Sequence, residues 1–300
     1  MVTFDIFLVK INLCENKLWA GADRMDTKIP MPIQNILRHY IAVFHERIPN
    51  TLEGLYIHGS IALDAYIHES SDIDFVAIIN RQLTEAEVKA LSKLHQELAA
   101  KYKKTGMDGC YLLWEDMGKA DLHKRLYTND GKVEWSEEVT NPITWWILKN
   151  KGITIIGQEI TSFDFEIDDR ILVDYCLSNM NTYWLNRMKK NEKYKKMVFL
   201  LPNKIIDWEI QWSVSGMLRQ FYTIKEHKVI SKAGACEYAI NHMPKRWHGL
   251  INEAISIRKG LNARYCDSKK QRISDTLEFM HYIIDNCNAN APRKSERKDK

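Results

Sequence analysis

Apolar residues recur at helical spacing through "MPIQNILRHYIAVFHERI", which predicts a helix over 32–48. The pattern then changes: "LEGLYIHGS" predicts a strand running into a turn, and "IDFVAIIN" predicts a second strand. In "TEAEVKALSKLHQELAAKYKK" a Thr84 N-cap is followed three positions on by Glu87, a capping box opening a helix of good helix formers. "DGCYLLWE" returns to strand. Beyond about residue 140 only helical periods remain, over 143–149, 170–190, 205–224, 234–242, 250–259 and 268–286. The expected fold class is therefore α+β followed by all-α, with domains over 25–140 and 141–287 and no flexible linker between them. Residues 1–24 are expected to be a loose extension or a mis-called start, and the polar end 288–300 a loose tail.

Composition narrows the function classes. The chain has 300 residues, 45% hydrophobic and 27% charged, so it is expected to be globular, not disordered. Its formal charge is +4, of which the tail 293–300, with five basic and two acidic residues, supplies +3. A near-neutral body argues against a protein built to neutralise phosphate backbones, so nucleic acid is not an expected partner. Six cysteines at 14, 110, 176, 236, 266 and 287 form neither C-x-x-C pairs nor zinc spacings and are expected to be reduced thiols of a cytoplasmic protein. No membrane-length apolar run occurs, and the opening segment lacks a basic n-region and a small-residue cleavage site.

Chemistry concentrates in "HGSIALDAYIHESSDIDFVAIIN". Strand side chains alternate faces, so Asp72 and Asp74 project together while Ile73 and Phe75 point the other way. Adjacent carboxylates raise each other's proton affinity unless a cation joins them, and Mg²⁺ suits hard oxygen ligands shared with substrate phosphates. Upstream, Gly59 lets backbone approach a ligand, and the Ser60 hydroxyl and nearby N–H groups are suited to phosphate oxygens. Either element alone is a commonplace turn or solvated strand edge; their order, strand, Gly-Ser, about a dozen residues, Ser71-Asp-Ile-Asp, strand, points to a metal-nucleotide site.

"GSIALDAYIHESSDIDF" resembles the signature of polymerase-β-type nucleotidyltransferases, and the surrounding organisation resembles bacterial aminoglycoside adenylyltransferases acting on streptomycin and spectinomycin, over residues 30–287. The resemblance implies a nucleotidyltransferase domain with a mixed sheet and flanking helices, then a C-terminal helical bundle. It implies transfer of AMP from ATP, with two Mg²⁺ ions, to a hydroxyl of a cationic antibiotic, with loss of pyrophosphate. Asp64 stands where many relatives have a small residue, and the spacing before the aspartates is one residue longer than in some.

Carried over by position, Asp72 and Asp74 are metal ligands and Gly59, Ser60 and Ser71 contact the nucleotide. Asp108 replaces the family glutamate as third carboxylate, metal ligand and base, with Glu115 and Asp116 as weaker candidates in the following turn. Arg219 and Lys232 match cations that hold ATP, and Arg258 stands where relatives have a tyrosine. Asp207, Glu209 and Trp212 are the expected acceptor residues; Trp208 is not separable from Trp212 by sequence, and Trp145 and Trp146 are expected to pack. "RMKKNEKYKK" at 187–196 is expected to be a solvated helix end. The alternatives are another acceptor (lincosamide, protein or RNA) or a non-catalytic nucleotide-binding relative. A monomer is favoured.

Overall fold

The computed structural model describes residues 27–119, 123–137, 139–261 and 263–289. The expected loose extension 1–24 and residues 290–300 of the expected loose tail 288–300 lie outside these, whereas Asn288 and Ala289 end the last helix, Lys269–Ala289. Two compact units divide between Glu166 and Ile167.

In the first unit, α1 (Met31–Arg47), β1 (Leu52–Ile57), β2 (Ile73–Ile79), α3 (Glu85–Lys101) and β3 (Met107–Leu112) lie where the patterning predicts. A single turn, α2 (Gly59–Ala62), links β1 to the loop before β2. The capping box forms: the Glu87 N–H donates to Thr84 Oγ1, and the Thr84 N–H donates to Glu87 Oε2 at 2.8 Å. Further strands follow, β4 (Arg125–Asn129), β5 (Lys132–Ser136) and β6 (Ile153–Ile156), the last after α4 (Pro142–Lys151). Among the described residues the sheet order is β5-β4-β3-β2-β1-β6. Among the described residues only β2 and β3 pair in parallel, joined by the α3 crossover.

Because β6 pairs antiparallel with β1, residues 141–166 complete the first sheet. The compact unit thus runs past the expected 140/141 boundary, which rested on the onset of helical periodicity at α4. One face of the sheet packs α1 and α3 through Ile33, Leu37, Tyr40, Phe44, Phe75 and Leu91, all buried. Polar groups inside that layer are satisfied: Tyr111 Oη lies 2.9 Å from Tyr40 Oη and 2.6 Å from His95 Nε2. Burial holds the His95 imidazole down at about 3, so it stays neutral there. Trp145 is fully buried as expected, with its Nε1–H donating to the Lys119 carbonyl at 3.0 Å.

The second unit is helical: α5 (Asp169–Asn179), a π turn over Met180–Trp184, α6 (Leu185–Tyr194), α7 (Asn203–Glu226), α8 (Lys232–His242), α9 (His248–Arg258) and α10 (Lys269–Ala289). The one helix expected over 170–190 is interrupted by that π turn, where the Trp184 ring lies over Gly216 of α7; a Cβ there would come within 2.5 Å of the ring. The centre of α7 is buried from Ser213 to Leu218. The cysteines at 110, 176, 236, 266 and 287 are free thiols, and Cys14 lies outside the described residues. Among the described residues no helix is long and apolar enough to cross a membrane.

Candidate functional site

The site in the first unit forms because β2 and β3 run in parallel and in register. Asp74 is the direct partner of Asp108, so both side chains leave the same face at the same level. Asp72 lies one pleat before Asp74. A Cβ on Gly106, just ahead of β3, would stand 2.8 Å from Asp72 Oδ1 and 3.7 Å from Asp108 Oδ1, so these two carboxylates flank the glycine. Asp74 turns toward the β1–α2 corner, where its carbonyl accepts the His58 N–H at 3.0 Å. Gly59 has φ +62°, and a Cβ on it would lie only 1.8 Å from Asp74 Oδ2. Glycine is required there twice over, for the left-handed backbone and for room beside the carboxylate. Gly59→Ala is therefore expected to displace Asp74 and lower any turnover by about tenfold with the fold retained; steady-state rates beside a melting curve check this.

Electrostatics follow from the crowding. Burial, together with the Asp72, Asp74 and Asp130 carboxylates, pushes the Asp108 carboxyl up to about 6, although it accepts the Asp130 N–H at 3.1 Å. Burial also lowers His58, against the pull of Asp74, so a neutral imidazole underlies the site. The Ser60 hydroxyl is buried and makes no hydrogen bond among the described residues. Ser71 is buried, and its Oγ accepts the Ile67 N–H at 3.0 Å, which fastens the loop before β2. Asp116 is engaged by Arg125 at 2.7 Å and by the Leu113 N–H, so it serves the turn after β3. Glu115 is exposed in that turn.

The donor set fits a hard divalent cation: every candidate ligand is a carboxylate oxygen, and a buried hydroxyl beside it lacks a partner. Among the described residues no group of three or more His, Cys, Asp or Glu side chains is placed to hold a metal ion, so Asp72, Asp74 and Asp108 are not brought together as a three-ligand set. That arrangement suits an ion whose shell is finished by water and phosphate.

In the second unit the expected acceptor residues are already engaged. Asp207 accepts from Arg264 at 2.8 and 3.2 Å and from the buried Arg272; burial would raise its carboxyl, but these guanidinium groups outweigh it and hold it below the usual range. Glu209 takes Arg187 through both oxygens, at 3.0 and 2.5 Å, plus Asn191 at 2.7 Å and Ser213 at 2.6 Å. Arg187 and Asn191 belong to the stretch expected to be a solvated helix end. They are instead half-buried, with their side chains reaching Glu209 of α7.

Trp208 and Trp212 stack at 5.6 Å and 14°. Lys232 Nζ lies 4.5 Å from the centre of the Trp212 ring, and the Arg187 guanidinium lies 5.0 Å from that of Trp208. Trp212 Nε1–H donates to Tyr183 Oη at 2.9 Å. Trp208 is 51% exposed, so the structure separates the two indoles: Trp208 is open to solvent and Trp212 is tied in. Lys232 and Trp212, expected on different substrates, are neighbours. Arg219 is two helical turns beyond Trp212 on α7, and Arg258 closes α9, its charge partly opposing the burial that pushes the Cys236 thiol of α8 up to about 12.

Two residues of the first site were missed by sequence reasoning, His58 and Asp130. The Asn129-Asp130-Gly131 turn signal was available for the second.

A comparison with curated protein sequences finds no match. Residues 202–283 match the model of the aminoglycoside adenylyltransferase C-terminal domain. Among solved structures the chain is similar to spectinomycin adenyltransferase AAD(9) from Enterococcus faecialis, determined with ATP and spectinomycin: TM-score 0.61, 14% identity, covering 84% of this chain and 98% of that one. In fold the chain thus resembles an aminoglycoside adenylyltransferase, a mixed-sheet nucleotidyltransferase unit followed by a helical unit.

Proposed function

We propose that the chain is an ATP-dependent nucleotidyltransferase that moves AMP to a hydroxyl of an aminoglycoside-type antibiotic and releases pyrophosphate. The observation that carries this reading is the in-register Asp74–Asp108 pair with Asp72 one pleat away and the Gly59-Ser60 corner against Asp74. Asp72, Asp74 and Asp108 would hold Mg²⁺, which when bound neutralises triphosphate charge. The Ser60 hydroxyl, buried and without a partner among the described residues, would donate to a phosphate oxygen. Asp108 accepts the proton of the attacking hydroxyl as the new O–P bond forms at the α-phosphorus and the α–β bridging bond breaks. Arg219, Lys232 and Arg258 would be the helical unit's cations for ATP, as the resemblance implies, and Trp212 steadies Lys232. The open indole of Trp208 is the surface suited to cover a sugar ring.

Support for the acceptor class comes from the C-terminal domain match and from a fold neighbour that binds spectinomycin. The ion pairs on Asp207 and Glu209 favour a second reading, in which the reaction stands and the acceptor carries little positive charge, as a lincosamide does. Pyrophosphate release with ATP and Mg²⁺ across streptomycin, spectinomycin, other aminoglycosides and lincomycin, with Asp72→Asn as blank, decides between them. Release driven by an aminoglycoside supports the first reading, and release driven by lincomycin alone supports the second. No release with any acceptor, together with no thermal shift by Mg·ATP, overturns both.

A further inference from the structure

We propose that the β4–β5 turn, Asp130-Gly131, is the positioning element for the Asp108 carboxylate; its catalytic consequence rests on the nucleotidyltransferase reading. The last paired residues of the hairpin are Asn129 and Lys132, which leaves Asp130 and Gly131 as a two-residue loop. Both have positive φ, 50° and 74°, the primed turn that matches strand twist. In such a turn the N–H of the first loop residue is not used within the hairpin, and here it donates to Asp108 Oδ1 at 3.1 Å.

The turn is held from its other side by α3. A Cβ on Gly131 would stand 2.7 Å from the Ala99 Cβ and 3.2 Å from the His95 carbonyl oxygen, so the glycine lies directly on the helix. Register reinforces the placement, because Thr128 of β4 pairs with Gly109, the residue after Asp108. One carboxylate oxygen is thereby fixed by a backbone donor that cannot rotate, and the other remains for a ligand or a proton. A freely rotating aspartate has no such orientation, and misplacement by about 1 Å is enough to cost about 10²-fold in rate.

The test moves the turn without touching Asp108. Gly131→Ala adds the clashing methyl group, and Ala99→Val presses on the same glycine from α3, a second variant in case the first fails to fold. Each is expected to lower kcat by about tenfold or more while KM for ATP changes by less than about twofold. Ala99→Gly alone keeps the wild-type rate, and combined with Gly131→Ala it restores part of the loss. Mn²⁺ affinity, read from the electron paramagnetic resonance of the free ion, is expected to weaken in Gly131→Ala in the same direction as in Asp108→Asn. Wild-type kcat and Mn²⁺ affinity in both displaced variants overturn the proposal. If the wild-type chain turns over none of the acceptors, the nucleotidyltransferase reading falls and the Mn²⁺ arm alone decides the positioning role; a wild-type chain that does not bind Mn²⁺ overturns both.

Discussion

Asp108→Asn is expected to abolish the proposed AMP transfer, by at least about 10²-fold, and to make the metal-free protein more stable at neutral pH. The two effects share one cause. In the folded chain burial and three neighbouring carboxylates raise the Asp108 carboxyl from its ordinary 3.8 to about 6. Between those values the folded protein holds a proton that the unfolded chain releases. The group therefore stabilises the fold in acid, and that contribution is lost as pH rises through about 6. Discounted for the partial exposure of the side chain, the cost of burying that charge beside its neighbours above that pH amounts to about 1 kcal/mol. Asparagine removes the charge but keeps an oxygen that accepts the Asp130 N–H, so the turn contact survives. Melting curves in chelator should show the variant ahead of wild type at about pH 8 and level with it near about pH 4. A variant that loses activity and is also destabilised at neutral pH would place Asp108 in the framework and deny it the role of a strained, charged group.

How much of this was legible in the sequence depends on the range of the interaction. The Asp72/Asp74 alternation, the Gly59-Ser60 corner and the Thr84–Glu87 cap are local patterns, and each forms as the spacing predicts. Asp108 could be placed by resemblance, but its exact partnering with Asp74 depends on strand register, which the intervening α3 crossover sets. The β4–β5 hairpin carries polar residues on a partly exposed edge, so its strands gave no apolar signal. Its Asn-Asp-Gly turn is local, yet the contact that gives it meaning lies 22 positions away. The β6 strand, only "ITII", follows a helix directly and is too short to stand out from the helical periods beyond about residue 140. The clearest reversal is Glu209: its carboxylate was expected to face a cation from outside and is taken by Arg187, 22 positions upstream. A sequence displays the carboxylate but not the neutralising partner that tertiary packing brings to it.

The same principle fixes where the helical unit is most vulnerable. Arg272 is 1% exposed and joins Glu253, whose side chain is fully buried, to Asp207; its Nε donates to Glu253 Oε1 at 2.7 Å. Three helices, α7, α9 and α10, meet at this guanidinium. Arg272→Met is expected to cost about 3–5 kcal/mol, because it leaves the Glu253 carboxylate buried without its cation, whereas Asp207 retains Arg264. The exposed Arg47–Glu97 pair of the first unit, at 2.6 Å, is geometrically as close, but solvent screens it and its loss should cost under about 1 kcal/mol. Distance alone would rank the two alike; desolvation separates them. Adding Glu253→Met to Arg272→Met removes the stranded charge and fills the space with apolar atoms, so most of the lost stability should return. Urea unfolding followed by far-ultraviolet circular dichroism reads both variants, with the helical transition fitted separately because two units need not unfold together. Recovery in the double variant identifies unpaired charge as the source of the loss. Failure to recover would mean that the guanidinium also satisfies backbone or packing demands that methionine cannot meet, and that this ion network specifies how the helices pack beyond balancing its own charge.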